Sequence, residues 1–324
     1  MNERTMSVGD AADLAGKVIA EVEKAVVGKR DALMQVLAAI LAQGHVLIED
    51  YPGLGKTLAA RSFARALGLD FRRAQFTPDL LPADLTGSFI YDQRESRFEF
   101  RPGPIFAGLL LADEINRTPP KTQAALLEAM QERQVTVEGE TFPLPAPFHV
   151  LATANPIEYE GTYPLPEAQL DRFLLRVSFG YPSPGQEYDV LARRLERQQE
   201  EVELERVTDA GGLLAMQAAV ETVTVDESVG RYCVELATAT RTHADVLTGA
   251  SPRGSLGLVL AARAFAVIRG RDYVIPEDVK AVARPVLAHR ITVRPELWMS
   301  EANGGSVVDA VLANVATPAT LERR

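Results

Sequence analysis

The stretch that decides the fold is Glu49-Asp50-Tyr51-Pro52-Gly53-Leu54-Gly55-Lys56-Thr57. It lies between an apolar run, His45 to Ile48, and a helical pattern, Leu58 to Leu67. A strand, a glycine-rich loop ending in Gly-Lys-Thr and a helix form the arrangement in which backbone N–H groups and a helix N-terminus bind phosphate. Lys56 would reach the outer phosphates, and the Thr57 hydroxyl would ligate Mg²⁺. The segment therefore indicates binding of a nucleoside triphosphate.

One position departs from the usual phosphate-loop pattern. That pattern begins with a glycine, and this chain has Asp50 in its place. A generic glycine-rich turn is the alternative interpretation. The position of Gly-Lys-Thr between a strand and a helix favours the phosphate loop.

The composition is that of a globular chain. It has 324 residues, 47% hydrophobic and 24% charged, a length typical of about two domains. The charged N-terminus does not resemble a signal peptide, and the apolar runs are too short to cross a membrane. One cysteine, Cys233, fits a reducing cytosol, so we expect a cytoplasmic protein. A net charge of −10 opposes broad attraction to nucleic acid, and the four histidines lack a zinc-binding spacing.

Strands and helices alternate through the first half of the chain. Predicted strands are His45–Glu49, Phe71–Phe76, Leu109–Asp113, Val150–Ala154 and Phe173–Phe179. The continuously apolar run before Asp113 is typical of a strand covered on both faces. Helices are predicted before and between the strands, the first of them from Val8 to Ala25 behind a Ser7 cap. This order predicts an α/β fold with a doubly wound parallel sheet.

Two hairpins interrupt the alternation. Ser88–Phe100 alternates around a polar stretch, and Val135–Phe142 turns at Glu138-Gly139. Both could be decorative. Hairpins on a rigid scaffold are also common places for contact with partners.

The composition changes at Tyr181-Pro182-Ser183-Pro184-Gly185. We therefore divide the chain into an α/β domain, residues 1–181, and a helical domain, residues 182–324. Ser183 and Gln186 form a capping box for the first helix beyond the boundary. The charge-rich run from Arg193 to Arg206 is interpreted as a solvated helix face. That first helix is predicted at Gln186–Gln199, and further helices are predicted at Gly211–Val220, Asp226–Arg241, Arg253–Ile268 and Pro276–Ala288.

Asp113 and Glu114 end the third predicted strand. In a parallel sheet this places both carboxylates at the carboxyl edge, beside the phosphate loop. Asp113 would orient Mg²⁺, and Glu114 would polarise the water that attacks the γ-phosphate. Helix capping explains many such pairs, but a phosphate loop upstream favours hydrolysis.

Three more polar residues follow or precede predicted elements. Asn155 ends the strand after the acidic pair and could hold the attacking water or a phosphate oxygen; an Asn that starts a turn before Pro156 is the alternative. Arg172 precedes the last strand, and Arg253 opens a helix of the second domain. Guanidinium groups stabilise a transferring phosphoryl group, often from a neighbouring subunit. Each arginine taken singly also fits a surface ion pair.

The phosphate loop, the acidic pair, Asn155 and the two arginines occur in the order found in AAA+ ATPases, which the chain therefore resembles. The wording of the individual segments resembles one branch of them, the MoxR family. The segments that carry the resemblance, from about Ala25 to Arg294, are Val27-Gly28, Glu49–Thr57, Gln75–Pro82, Asp113–Arg117, Gly249–Arg253, Gly270–Val274 and Val286–Arg290. An acidic residue at the position of Asp50 is frequent in that family.

The resemblance implies a role for each site residue. Val27 and Gly28 would contact the adenine of ATP, and the phosphate-binding segment would comprise Pro52, Gly53, Leu54, Gly55, Lys56, Thr57 and Leu58. Thr57 and Asp113 would hold Mg²⁺, and Glu114 would be the catalytic base. Asn155 would be the first sensor, Arg172 a finger into the next subunit's site, and Arg253 the second sensor from a helical lid. The two hairpins would be the helix-2 insert and the pre-sensor-1 hairpin.

The resemblance also implies an assembly and partners. The protein would form a homo-oligomeric ring, expected to be a hexamer, because Arg172 would serve a neighbouring site. It would act as a chaperone that matures or remodels client proteins, together with a protein carrying a von Willebrand factor A domain.

Two other functions are compatible with a phosphate loop. A nucleic-acid motor is suggested by related helix-2-insert branches and by Arg94 and Arg97 in the first hairpin, but the net charge and the acidic tip Glu138-Gly139-Glu140 oppose it. A small-molecule kinase or GTPase-like switch would leave Arg253 without a role. The sequence also lacks the Asn-Lys-x-Asp motif that recognises guanine in GTPases.

Overall fold

The structure is a computed structural model that describes residues 6–156, 161–297 and 300–319. The two domains are predicted at residues 1–181 and 182–324. The first five residues of the first range and the last five of the second lie outside the described residues.

The strands in chain order are β1 (Val46–Glu49), β2 (Phe71–Gln75), β3 (Gly87–Asp92), β4 (Arg97–Pro102), β5 (Leu109–Asp113), β6 (Gln134–Val137), β7 (Glu140–Pro143), β8 (His149–Ala154), β9 (Leu175–Val177), β10 (Val246–Thr248) and β11 (Thr292–Val293).

The α-helices are α1 (Val8–Ala25), α2 (Arg30–Leu41), α3 (Lys56–Ala66), α4 (Pro82–Thr86), α5 (Pro120–Glu132), α6 (Glu167–Leu170), α7 (Pro184–Arg197), α8 (Ala210–Glu221), α9 (Glu227–Thr242), α10 (Pro252–Ile268), α11 (Pro276–Leu287) and α12 (Gly304–Asn314). Short 3₁₀ turns cover Ile115–Arg117, Ala288–Arg290 and Pro295–Leu297. None of the helices in the described parts of the chain has the length and apolarity needed to cross a bilayer.

The central sheet is parallel, with strand order β2-β5-β8-β1-β9. Every residue of β5 is buried, as the continuously apolar run predicts. Side chains on one face of the sheet pack with α1, α2, α3 and the helices α8 to α12. Those on the other face pack with α5 and the second hairpin. The doubly wound α/β prediction is therefore confirmed.

Two buried histidines lie at the amino ends of β1 and β8. His45 contacts the carbonyl of Met130 (3.1 Å), and His149 contacts that of Gly44 (3.2 Å). Burial lowers the pKa of His45 to about 3 and that of His149 to about 4, so both rings are neutral at pH 7. Gln217 of α8 donates to the carbonyl of Ile40 and contacts His149 (3.0 Å). These buried contacts attach the helical part to the sheet.

Both predicted hairpins are present. In the first, β3 pairs antiparallel with β4, and in the second, β6 pairs with β7. Glu138 and Gly139 both have positive φ (50° and 88°), as a two-residue primed turn requires. The rings of Phe100 and Phe142 stack at 3.9 Å and so join the two hairpins.

Three segments differ from the prediction. The strand predicted at Phe173–Phe179 covers only Leu175–Val177. The charge-rich run forms helix only as far as Arg197, where Gln198 ends α7 in a left-handed conformation. Helix α12 is missing from the prediction because it opens with Gly304 and Gly305, which lower helix propensity. A side chain at Gly304 would collide with the carbonyl of Ala288. Packing therefore requires glycine at this position, although glycine makes the helix hard to predict from the sequence.

Candidate nucleotide site

The phosphate loop connects β1 to α3. Gly53 and Gly55 have φ of 80° and 81°, a left-handed conformation that glycine adopts without strain. A Cβ at either position would meet no neighbouring atom, so backbone conformation and not space requires glycine there. Lys56 begins α3, and its ammonium group donates to the carbonyl of Asp50 (2.5 Å). The loop is thus closed on itself, with Pro52 and Leu58 exposed on it.

Asp50 anchors this loop to the chain that leaves β9. It is 4% exposed, and one carboxylate oxygen accepts hydrogen bonds from the backbone N–H groups of Phe179 (2.6 Å) and Gly180 (2.8 Å). The other oxygen accepts from the N–H of Tyr51 (3.0 Å). Glycine can make none of these bonds. The departure from the usual pattern is therefore a structural anchor, which the sequence could not show because its partners are distant along the chain.

We predict that Asp50→Gly, which restores the usual phosphate-loop pattern, lowers both the stability of the protein and its affinity for ATP. The backbone N–H groups of Phe179 and Gly180 would lose a charged acceptor, which typically costs about 2 kcal/mol of unfolding free energy per site. Loosening of the loop should raise the dissociation constant of a fluorescent ATP analogue about tenfold. Asp50→Asn is the matched control, because it keeps one acceptor oxygen and should lose less. Binding by Asp50→Gly as tight as that of the unmodified protein would contradict the anchor.

The buried carboxylate of Asp113 lies at the carboxyl end of β5. One oxygen accepts from the Thr153 hydroxyl (2.6 Å). The other accepts from two guanidinium nitrogens of Arg73, at 2.7 and 3.0 Å. Thr153 lies on β8, directly opposite Ile48 of β1. This pairing brings Asp113 to the sheet edge that carries the phosphate loop.

Glu114 turns the chain away from the sheet with φ of 58° and ψ of 49°. A left-handed conformation costs a non-glycine residue about 1 kcal/mol, and the N–H of Glu114 is held by the Thr153 hydroxyl (2.8 Å). One carboxylate oxygen accepts from Gln75 (2.7 Å) and Arg117 (3.1 Å). The candidate base is thus held by two donors.

Sequence reasoning missed three of these neighbours. Arg73 and Gln75 are alternate residues of β2, so they share a face of the strand next to β5. Thr153 lies inside an otherwise apolar strand. Polar side chains at alternate positions near the end of a predicted strand are the signal that could have revealed them.

Asn155 follows β8 and is buried. Its carbonyl accepts from the Asn116 amide (3.2 Å), and the carbonyl of the preceding residue, Ala154, accepts from the N–H of Asp50 (3.2 Å). The side chain lines a cavity of about 500 Å³ together with Glu49 and Asn116. Asn155 therefore lies at the same carboxyl edge as Asp113 and the phosphate loop.

Arg172 lies at the opposite, amino edge of the sheet. The N–H of Leu174 donates to the carbonyl of His45 (2.9 Å), which places Arg172 before β9 and level with the start of β1. Lys56 lies beyond the other end of β1. The four residues of β1 alone span roughly 13 Å at ~3.3 Å each, so Arg172 is remote from the loop of its own chain.

Arg253 lies beside Arg172. Its guanidinium is 3.9 Å from the carboxylate of Asp171. The other oxygen of that carboxylate accepts from Arg290 (2.7 Å), whose side chain is 4% exposed. Burial lowers the pKa of Arg290, and Asp171 opposes that shift. The structure brings the two predicted arginines together but does not bring either of them to Lys56.

Val27 and Gly28 lie between α1 and α2, with Gly28 at φ 73°. The Gln186 amide donates to the carbonyl of Gly28 (3.2 Å), and a side chain at Gly28 would collide with Gln186. Lys29 donates to the carbonyl of Gly180 (2.9 Å), the residue that also binds Asp50. The candidate adenine segment is thereby tied to the phosphate loop through the chain between β9 and α7, a connection that the sequence did not reveal.

Comparisons with known proteins agree with this geometry. Residues 45–175 match the ATPase family associated with various cellular activities (AAA), and residues 238–311 match an AAA lid domain. The chaperone MoxR1 of Mycobacterium tuberculosis is 44% identical over 96% of this chain and 85% of its own length. The uncharacterized protein YeaC of Bacillus subtilis is 49% identical over 95% of this chain and 96% of its own length.

The chain belongs to the MoxR family of AAA+ ATPases. A crystal structure of a putative ATPase from Cytophaga hutchinsonii superposes with a TM-score of 0.88 at 41% identity, covering 95% of this chain and 96% of that one. The predicted AAA+ fold with a lid is therefore confirmed. In this MoxR-family ATPase the first matched range contains Lys56, Asp113, Glu114, Asn155 and Arg172.

Arg253 of this MoxR-family ATPase falls in the second matched range, the lid. Val27 and Gly28 fall outside both ranges. Their assignment to the adenine rests on the chain's resemblance and on the contact with Gln186.

Proposed function

We propose that this MoxR-family protein hydrolyses ATP to ADP and phosphate in a homo-oligomeric ring, at sites shared between neighbouring copies. One observation carries the proposal: Arg172 and Arg253 lie at the sheet edge opposite Lys56 and Glu114. Neither arginine can reach a nucleotide bound by its own chain. A copy whose amino edge faces the carboxyl edge of the next can deliver both, and repetition of that contact closes a ring, which we expect to be a hexamer.

Each residue at the carboxyl edge has a role in this reaction. Val27 and Gly28 contact adenine, and the segment from Pro52 to Leu58 surrounds the phosphates. Glu114 accepts a proton from the attacking water, whose oxygen bonds to the γ-phosphorus as the bond to the ADP oxygen breaks. Asn155 orients that water or a γ-phosphate oxygen.

Mg²⁺ fits the donors available. The Thr57 hydroxyl and the Asp113 carboxylate are the hard oxygen ligands that Mg²⁺ prefers, usually together with water and phosphate oxygens. The described residues contain no group of three or more His, Cys, Asp or Glu side chains that could hold a metal ion by themselves. An ion held by Thr57 and Asp113 beside the nucleotide would neutralise phosphate charge.

We propose that hydrolysis drives remodelling of client proteins. A 44% identical relative is named a chaperone. The first hairpin offers a contact surface, because Tyr91 and Phe98 are 50% and 68% exposed at its outer end and Phe100 connects it to the second hairpin. The family resemblance suggests a partner with a von Willebrand factor A domain, and the single cysteine suggests a place in the cytosol. Cys233 suits that compartment as a buried thiol.

Turnover at different protein concentrations tests the shared site. ATP hydrolysis per subunit should rise at least about tenfold between dilute and concentrated protein with Mg²⁺. An isolated copy has no neighbour whose Arg172 and Arg253 could reach its nucleotide. Unlabelled ATP should compete with a fluorescent ATP analogue more strongly than GTP does. Constant turnover per subunit, down to concentrations at which mass measurement finds monomers, would rule out the shared site.

A further inference from the structure

Helix α7 presents an apolar stripe to solvent. Tyr188, Leu191 and Leu195 are spaced three and four residues apart, so they lie on one face, and they are 69%, 57% and 76% exposed. No residue of α7 is buried. Contacts on other faces hold the helix to the protein: Arg193 donates to the carbonyl of Glu23 (3.1 Å). We call these three side chains the α7 stripe.

The first turn of α7 lies beside the candidate nucleotide site. Gln186, in that turn, contacts Gly28 of the candidate adenine segment. Tyr181, 70% exposed and close before α7 in the chain, stacks on Tyr51 of the phosphate loop at 5.5 Å. Exposed apolar side chains therefore lie both at the mouth of the nucleotide site and along α7. Clusters of exposed apolar side chains on a polar surface are typical of interaction sites.

A second surface, at the amino edge, has complementary properties. A groove there is lined by Asp171, Arg172, Arg253, Leu256, Leu260 and Arg290, and Leu256 is 57% exposed. We call Arg172, Arg253 and Leu256 the arginine face. Three arginines against the one carboxylate of Asp171 leave the groove positively charged beside an exposed leucine. Helix α7 carries Glu187 and Asp189 next to Tyr188 and three arginines in its second half, so the Tyr188 end of the α7 stripe is the part that matches the arginine face in charge.

We infer that the α7 stripe of one copy docks on the arginine face of the next copy, and that this contact delivers Arg172 to the neighbour's nucleotide. The inference rests on the proposed function, because the nucleotide site is incomplete without a second copy. Whatever supplies Arg172 must cover the mouth of the phosphate loop. Helix α7 begins beside the candidate adenine segment, so a copy that covers the mouth also meets this helix. The contact joins two different surfaces and is head-to-tail, as a ring requires.

A double charge substitution tests the α7 stripe. Leu191→Arg with Leu195→Arg places two guanidinium groups on exposed positions, so folding and binding of a fluorescent ATP analogue should change less than about twofold. Repulsion between these groups and the arginine face, together with their burial in the contact, should weaken assembly by at least about a hundredfold. Native mass spectrometry over a concentration series, in a Glu114→Gln background with ATP, measures the change. The matched control is Val234→Arg with Leu247→Arg, two exposed positions (53% and 62%) away from α7, which should assemble normally.

The outcomes separate this inference from the proposed function. Assembly by the parent protein and the control, but not by the α7 variant, supports the contact. Equal assembly by all three overturns the α7 contact and leaves the ring in place. Failure of the parent protein itself to assemble with ATP at any concentration overturns the ring and this inference together.

Cross-linking tests the pairing of the two surfaces. Tyr188→Cys and Leu256→Cys are prepared separately, mixed with ATP and oxidised. Native Cys233 should not react, because it is buried and burial raises its thiol pKa to about 12. A two-subunit product in the mixture, absent from either preparation alone, supports the pairing. Its absence from the mixture overturns the pairing, whatever the α7 charge variant does.

Discussion

Replacing Arg172 with alanine will lower ATP turnover about a thousandfold or more, the effect typical of losing an arginine that stabilises a transferring phosphoryl group. Under the proposed shared site, the affected nucleotide is that of the neighbouring copy, because Arg172 lies at the amino edge of its own sheet. Binding of a fluorescent ATP analogue should be nearly unchanged, because the phosphate loop and Lys56 remain intact. Steady-state phosphate release measures the loss.

Mixing experiments distinguish a shared site from a local one. Lys56→Ala subunits lack a working phosphate loop but retain Arg172, so mixing them with Arg172→Ala subunits should restore part of the turnover. Arg231→Ala is a suitable control, since that arginine is 73% exposed and pairs only locally with Glu227. Full turnover by Arg172→Ala alone, or no recovery on mixing, would contradict a site shared between copies.

Replacing Glu114 with glutamine will lower turnover by about a hundredfold to ten-thousandfold, the usual contribution of a general base. Glutamine has nearly the same shape and keeps an acceptor oxygen for Gln75 and Arg117, so the chain should fold and bind ATP normally. Only the ability to accept the proton of the attacking water is lost. Single-turnover hydrolysis measured beside ATP binding separates the two steps.

The matched control for this change is Glu128→Gln. Glu128 is an exposed residue of α5, and the substitution removes the same charge outside the nucleotide site. It should leave turnover within about twofold. Turnover by Glu114→Gln within a few-fold of the parent protein would mean that another group activates the water.

Much of the fold follows from local patterns. The Ser7 hydroxyl accepts from the N–H of Asp10 and begins α1 at Val8, as the capping pattern predicts. The apolar run before Asp113 gives a strand buried on both faces. These elements are predictable because their signals lie within one or two turns or in one short strand. The helix predicted at Gln186–Gln199 is present as α7 and ends at Arg197, close to its predicted end.

The carboxyl edge of the site was also predictable in part. Lys56 and Asn155 follow the first and fourth predicted strands and Asp113 ends the third, and a parallel sheet brings such residues to one edge. The donors that hold the two acids, Arg73 and Gln75, were not identified. Their role depends on β2 lying next to β5, which is a property of strand order and not of either strand alone.

The sequence by itself determined the phosphate loop, the acidic pair and the alternation of strands and helices that makes a doubly wound sheet. Each of these features depends on residues that are close together along the chain. Only the tertiary structure decided what Asp50 does, since its hydrogen-bond partners Phe179 and Gly180 are far away in sequence. It also decided that Arg172 and Arg253 face away from Lys56, because the direction of β1 puts them at opposite edges of one rigid sheet. Local spacing specifies what chemistry a chain carries; packing of distant segments specifies which groups can meet within one copy.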